Sequence, residues 1–319
     1  MSEPTVSGSQ SADLHYFHHL IERAQKLPAI ATSVIWPLSE PALEGAVEAA
    51  KAGLITPVLV GDEAKIKALA AKLGLDISAY KIENAPSERK AAEQGILLAR
   101  NGETVAVMKG SLHTDTLMSA AMARETGLRT SGKRISHVFV MDTPAYNRTV
   151  MVTDAAINIE PELEDKMHIV QNAIDLAKAL GVATPHVALL SAVESINPKI
   201  KSTLDSAALC KMADRGQIRG GVLDGPLSFD LTVSEHSAAI KGVKSPVTGK
   251  ADILVTPNLE SGNILFKELE YLGGAKLAGV VLGARVPVIL TSRADSAETR
   301  LTSTAVAVLL HYALHPIAK

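Results

Sequence analysis

The chain has 319 residues, with 32 lysines and arginines against 34 aspartates and glutamates and a net charge of −2. This length favours two domains, and the balanced charge gives no reason to expect a nucleic-acid partner. Cys210 is the single cysteine, which excludes an intrachain disulfide and a cysteine-rich zinc site. The first dozen residues lack the pattern of a signal peptide, and no apolar run reaches the ~20 residues of a membrane span. We therefore expect a cytoplasmic protein with no metal and no membrane partner.

Strands and helices alternate along the first half of the chain. We expect residues 1–12 to be a disordered tail, followed by a helix that Asp13 caps. Strands are predicted at 29–34, 55–60, 77–82 and 104–108, and helices at 40–52, 66–73, 87–100 and 114–125. The extended runs 135–141 and 148–153 are predicted to form a hairpin. The alternation implies crossover connections, and therefore a mainly parallel sheet with helices on both faces.

The alternation restarts near residue 150, which predicts a domain boundary there. Helices are predicted at 161–180, 202–215, 229–239, 264–272 and 297–314, and strands at 186–190, 221–223, 251–255, 278–282 and 286–290. Asp224-Gly225-Pro226 is predicted to be a turn at a strand end, and residues 257–262 an irregular loop.

The segment 283–296, GARVPVILTSRADS, places three polar residues between a predicted buried strand and the following helix. These are Ser292, Arg293 and Asp295. Ligands of open α/β sheets bind at carboxyl ends of strands, and the first turn of a helix attracts phosphate. The pattern therefore suits chemistry on an anion. Capping of the helix by Ser292 or Asp295 explains the same pattern without catalysis.

Two other polar loops follow predicted strands. The loop KGSLHT offers the cation of Lys109 and close backbone approach at Gly110, although an ordinary turn capped by Thr114 would look the same. The loop PNLESGN, residues 257–263, carries more hydrogen-bonding side chains than a turn requires, but loop chemistry alone would permit it.

Three segments together resemble the phosphate acetyl/butyryl transferase family: GVLDGPL at 221–227, ADILVTPNLESGNIL at 251–265 and VPVILTSRADS at 286–296. Their order and spacing fit the family, and the similarity runs from about residue 30 to the C-terminus. The details SRADS and DGPL favour the butyryl branch. The chain also resembles the transferase portion of fusions that carry an enoyl-CoA hydratase module, although no such module is present here.

This resemblance implies reversible transfer of a short acyl group, acetyl or butyryl, between coenzyme A and inorganic phosphate, with no tightly bound cofactor. It also implies a fold like that of isocitrate and isopropylmalate dehydrogenases: two α/β/α three-layer domains with mainly parallel sheets and an active cleft between them. The first domain would comprise residues 13–150 plus 279–319, and the second 151–278. A homodimer or larger homo-oligomer is expected.

The resemblance also assigns roles to residues. Ser292 would donate to the developing oxyanion, and Arg293 and Arg134 would bind phosphate. In related acetyltransferases an aspartate seven positions after the serine is thought to be the base, but Thr299 stands there in this chain. The alternatives are Asp295, Glu298, or catalysis by positioning and electrostatics alone. The further positions expected to contact substrate are Lys109, Gly110, Asn258, Ser261, Gly262 and Asn263.

Other functions remain open at this stage. A phosphate transacylase that uses acyl carrier protein would need a basic docking patch, which the sequence does not clearly show. A non-catalytic acyl-CoA-sensing module would bind without turnover. A dehydrogenase of the same fold is disfavoured because no arrangement of metal-binding aspartates is found.

Overall fold

The computed structural model describes residues 15–146, 148–291 and 295–317. The strands are β1 (Ile30–Ile35), β2 (Ile55–Gly61), β3 (Lys81–Asn84), β4 (Ala106–Lys109), β5 (Ser136–Asp142), β6 (Val150–Thr153), β7 (His186–Leu190), β8 (Val222–Leu227), β9 (Ile253–Val255), β10 (Lys276–Leu282) and β11 (Val288–Ile289). The helices are α1 (His15–Gln25), α2 (Glu40–Lys51), α3 (Glu63–Leu73), α4 (Glu88–Arg100), α5 (Thr114–Ala121), α6 (Leu163–Ala179), α7 (Lys201–Asp214), α8 (Phe229–Val233), α9 (Glu235–Lys241), α10 (Leu259–Tyr271) and α11 (Ala297–Leu314).

These strands form one mixed sheet in the order β3-β2-β1-β4-β11-β10-β5-β6-β9-β7-β8. The pairs on either side of the centre are parallel, as the alternation of strands and helices predicts. The antiparallel pairs lie in the middle, where β10 pairs with β11 and β5, and β5 pairs with β6. The last two strands therefore return to the half of the sheet that the first part of the chain builds.

One face of the sheet is covered without interruption. Helices α1, α2, α3, α6, α7 and α11 pack here, and their buried side chains join those of strands from both halves in one hydrophobic cluster. Leu43 of α2, Ile174 of α6 and Val306 of α11 are fully buried in it. We call this the closed face.

The opposite face carries two separate hydrophobic clusters. In the first, helices α4 and α5 cover strands of the first half, and Leu117 of α5 is fully buried. In the second, helices α8, α9 and α10 cover strands of the second half, and Phe266 of α10 packs on Phe139 of β5. We call this the open face, because its helices leave the middle of the sheet partly uncovered.

Local sequence signals lie at several helix ends. Asp62 accepts a hydrogen bond from the Lys65 amide at the start of α3, and Gly74 ends that helix in the left-handed conformation. Pro41 lies in the first turn of α2, where its missing N–H is not needed. The predicted hairpin is confirmed by the antiparallel pairing of β5 with β6. Asp13, the predicted cap of α1, lies outside the described residues.

Three local predictions were wrong. Asp224-Gly225-Pro226 lies inside β8, where a proline is tolerated because β8 is at the edge of the sheet. Most of the supposed loop 257–262 belongs to α10, since Asn258 caps a helix that begins at Leu259. The helix predicted at 229–239 is split, because Ser234 caps α9 at the point where α8 ends.

Among the described residues, no helix is both long and apolar enough to cross a membrane.

Candidate active site

A cleft of about 340 Å³ lies on the open face, between α5 and α10. Its apolar residues include Phe139 of β5, Leu277 of β10 and Leu290, which directly follows β11. Residues from three segments singled out in the sequence meet in this cleft, although they are far apart along the chain. The polar and charged residues that line it are Thr114, Asp115, Asn263, Lys267, Glu270, Tyr271, Thr291 and Asp295.

The KGSLHT loop ends at Thr114, which lines the cleft together with the next residue, Asp115, at the start of α5. His113, not Thr114, occupies the N-cap position. Gly110 lies against β1, where an added Cβ would come within 2.4 Å of two backbone oxygens. Lys109 is buried, and its Nζ lies 3.3 Å from the Gly110 oxygen. Gly110 thus brings the loop close to β1, and neither Lys109 nor Gly110 lines the cleft.

The PNLESGN segment forms the start of α10 and contributes Asn263 to the cleft, where its Nδ2 donates to the Ala155 oxygen at 3.2 Å. Asn258 and Ser261 form a capping box, in which the Asn258 side chain accepts from the Ser261 amide. At Gly262 an added Cβ would lie 2.6 Å from the Asp154 oxygen, so this glycine permits close packing of the helix. The capping and packing contacts fix the direction in which α10 leaves β9.

The segment between β11 and α11 contributes Thr291 and Asp295 to the cleft. Ser292 and Arg293, the predicted catalytic pair, lie outside the described residues. The cap of α11 is Ser296, which accepts from the Thr299 amide at 3.1 Å. The interpretation of Asp295 as the cap is therefore wrong.

Arg300, which the sequence pattern did not single out, holds this segment through a hydrogen bond. Its Nη1 donates to the Thr291 hydroxyl at 2.9 Å, and only 2% of the residue is exposed. Burial lowers the pKa of this guanidinium, while the charge of Asp295 opposes that effect. Gly45 of α2 leaves room for the arginine stem, since an added Cβ would lie 2.7 Å from Arg300 Cδ. An arginine within the apolar surface of α11 was the signal that could have revealed it.

Arg134, the predicted phosphate-binding arginine, lies outside this cleft. Its Nε donates to Asn158 at 2.8 Å, and its Nη1 lies 3.1 Å from Asp165. It lines a separate basic pocket of about 590 Å³ together with Arg124, Arg129, Lys133 and His168. Asn158, the partner of Arg134, belongs to the same loop as Ala155 and Ala156, which line the cleft.

The acidic side chains considered as bases have different surroundings. Glu298 is exposed and pairs with Lys276 at 2.6 Å, and it does not line the cleft. Thr299 lines a smaller neighbouring pocket. Asp295 lies in the cleft together with Glu270 of α10, which the sequence reading did not single out. Burial and the charge of Asp295 raise the pKa of Glu270.

A buried histidine lies beneath the open face. The ring of His137 is 4.2 Å from that of Phe139, which in turn stacks on Phe266. Burial lowers the pKa of His137 to about 4, and the backbone of Leu290 opposes this only in part, so the imidazole is neutral at pH 7. The Leu290 backbone lies near the ring, but within the described residues no hydrogen bond of normal geometry reaches either ring nitrogen.

Within the described residues, no group of three or more histidine, cysteine, aspartate or glutamate side chains is arranged so that it could bind a metal ion. The GVLDGPL segment forms the edge strand β8, and none of its residues lines the cleft.

A family model described as phosphate acetyl/butaryl transferase matches residues 84–308. The chain belongs to this family. It is 55% identical to a phosphate acetyltransferase of Rhizobium meliloti over 92% of each chain. It is also 44% identical to a phosphate butyryltransferase of Clostridium acetobutylicum, over 92% of this chain and 97% of that one.

Solved structures agree with this assignment. A branched-chain phosphotransacylase from Enterococcus faecalis matches with a TM-score of 0.77 and 31% identity, over 89% of this chain and 99% of that one. A 4-hydroxythreonine-4-phosphate dehydrogenase from Klebsiella pneumoniae matches with a TM-score of 0.52 and 14% identity, over 89% of this chain and all (100%) of that one. The second likeness concerns the fold alone, and it confirms the dehydrogenase-like fold that the family resemblance implies.

Proposed function

We propose that this chain is a phosphate acyltransferase, which reversibly transfers a short acyl group, acetyl or butyryl, between coenzyme A and inorganic phosphate. The observation that carries the proposal is the meeting of α5, α10 and the β11–α11 segment at one cleft, in a chain of this family. The segment that carries Ser292 and Arg293 joins Thr291 to Asp295, both of which line that cleft.

The chemistry sets three demands on such a site. A thiol of pKa ~8.5 is mostly protonated at neutral pH, so a base must help to form the thiolate that attacks the acyl carbonyl. The oxyanion that develops needs a hydrogen-bond donor, for which Ser292 is our proposal. The phosphate needs a cation with a planar pair of donors, which Arg293 would supply.

Loss of thioester from acetyl-CoA and butyryl-CoA, measured with and without added phosphate, tests the activity directly. Phosphate-dependent loss with either substrate supports the proposal, and the ratio of the two rates gives the acyl preference. Binding of acyl-CoA without turnover would indicate a sensing module instead. Turnover only with acylated carrier protein would indicate a phosphate transacylase that uses acyl carrier protein.

Substitutions test the assigned roles. Arg293→Ala should reduce kcat/KM for phosphate by about 10²-fold or more, while leaving the thermal unfolding curve unchanged. Ser292→Ala should lower kcat more than it changes KM. Arg215→Ala is the matched control, because Arg215 is exposed at the end of α7 and outside the cleft. Wild-type kinetics in Arg293→Ala would refute its role.

A homodimer or larger assembly and a cytoplasmic location are further proposals that rest on the sequence. Three large apolar side chains on or next to α10 support self-association, because Ile264, Tyr271 and Leu272 are 59%, 72% and 86% exposed. Light scattering coupled to size-exclusion chromatography would measure the mass in solution. A monomer at micromolar concentration would contradict the assembly.

A further inference from the structure

Glu270 occupies a position in the cleft that suits proton transfer. It lies near the end of α10 and lines the cleft with Thr291 and Asp295, which flank the proposed catalytic pair. Glu268, two positions earlier on the same helix, is exposed and does not line the cleft. The geometry of α10 therefore separates two nearby glutamates into one cleft residue and one solvent residue.

Glu270 differs from the neighbouring acidic residues in its interaction partners. Glu298 is paired with Lys276 at 2.6 Å. Asp295 has interaction partners of its own and adds negative charge beside Glu270. Glu270 is only partly exposed, and it has no hydrogen bond or ion pair within the described parts of the chain. A carboxylate in this situation is available to accept a proton from a substrate.

The charged groups around Glu270 come from four directions. Asp295 of the β11–α11 segment and Asp115 of α5 line the same cleft as Glu270. Lys267 lies one turn earlier on α10, while Lys276 and Glu298 line the small pocket on its other side. Burial and Asp295 raise the pKa of Glu270, and Lys267 opposes this rise. The net effect moves the pKa of Glu270 toward neutral pH, and a general base is most effective when its pKa lies near the working pH.

We propose that Glu270, set beside Asp295, is the general base that accepts the thiol proton of coenzyme A. This role rests on the acyltransferase function proposed above. It would replace the aspartate that the family resemblance places seven positions after Ser292, where this chain has Thr299.

The proposed step moves one proton and exchanges one bond at the acyl carbon. Glu270 takes the proton as the S–H bond breaks, and the sulfur forms a bond to the acyl carbon. The tetrahedral intermediate then collapses, the bond between the acyl carbon and the phosphate oxygen breaks, and the proton passes from Glu270 to the released phosphate. The reverse reaction follows the same path, with phosphate giving its proton to Glu270 before it attacks the thioester.

Purified full-length Glu270→Gln and Glu268→Gln variants test this role with acetyl phosphate and coenzyme A as substrates. Glu270→Gln should lose about 10²-fold or more of kcat, since general base catalysis contributes about 10²- to 10⁴-fold. Glu268→Gln should keep the wild-type rate, and both should keep the wild-type melting curve. Glu270→Asp should recover part of the lost rate, because it restores a carboxylate.

The pH profile tests the coupling to Asp295. In wild type, kcat/KM for coenzyme A should rise as Glu270 loses its proton. In Asp295→Asn that rise should move to lower pH, because a like charge no longer opposes ionisation. In Glu270→Gln the rise should disappear.

The outcomes separate the two proposals. If wild type transfers acyl groups and Glu270→Gln is as fast as Glu268→Gln, the base assignment is overturned and the acyltransferase function stands. An unshifted profile in an active Asp295→Asn variant overturns the coupling of the pair. If wild type shows no phosphate-dependent transfer, the proposed function fails first.

Discussion

The two faces of the central sheet differ in how their helices are distributed. On the closed face, one hydrophobic cluster extends across both halves of the chain. On the open face, the helices gather into two groups with separate clusters, and the cleft lies between α5 and α10. The closed face therefore holds the two halves together, while the open face leaves room for a ligand.

Stability and chemistry therefore depend mainly on different faces of the sheet. Substitutions within the closed face should lower the free energy of unfolding and spare activity at temperatures where the chain is folded. Substitutions at the cleft should do the reverse. Arg300 is an informative exception, since it packs beside Gly45 of the closed-face helix α2 and bonds to Thr291 of the cleft.

The largest expected effect on stability is at the centre of the closed face. Ile174→Ala should lower the free energy of unfolding by about 2–5 kcal/mol, because it leaves a cavity in a fully buried site. Ile240→Ala is the matched control, because Ile240 on α9 is 73% exposed, and it should change stability by about 0.5 kcal/mol or less. Urea denaturation measures both. A similar loss in the two variants would contradict the division between the faces.

The exception is tested at Arg300. Arg300→Met keeps a long unbranched stem but removes the donor to Thr291, so we expect kcat to fall about 10- to 100-fold. Thr291→Val removes the acceptor of the same bond, and the double variant should lose no more than the worse single one. Steady-state kinetics of wild type and the three variants complete this double-mutant cycle. Additive losses would show that the two residues act separately.

The buried histidine under the open face makes stability depend on pH. The pKa of His137 is lowered from 6.5 to about 4 in the folded chain, so the unfolded chain binds the proton first as pH falls. The contribution of His137 to the free energy of unfolding is therefore complete above about pH 6.5. The chain loses about 2 kcal/mol of this free energy when the pH falls to 5. His137→Leu should remove that part of the pH dependence. If wild type and His137→Leu gave parallel curves of unfolding free energy against pH, His137 would not be the source of this pH dependence.

The smallest effect is expected at a helix cap beside the cleft. Ser296→Ala removes the acceptor for the Thr299 amide and should cost about 1 kcal/mol of stability. Ser87→Ala removes the equivalent acceptor at the start of α4 and serves as the control away from the cleft. Only Ser296→Ala should also lower kcat, by a few-fold, because Ser296 directly follows the segment that carries the proposed catalytic pair. Equal kinetics in both variants would mean that the cap does not position that segment.

The sequence by itself determined the order of strands and helices, many of their ends and the family. Apolar periodicity and the glycine after α3 are local signals, and the structure follows them. The last helix, Ala297–Leu314, matches its prediction at both ends. The roles of Ser292 and Arg293 also come from the sequence, and they stay predictions.

Only the tertiary structure decided which strands are neighbours and which face stays open. Periodicity tells that a strand is buried, but it does not tell that β11 lies between β4 and β10, or that DGP continues an edge strand. Glu270 and Asp295 are separated along the chain by β10, β11 and the loops around them, and only the folding of α10 against the sheet brings both to one cleft. Local signals act over a few residues, whereas neighbours in a sheet are chosen by burial of the whole chain.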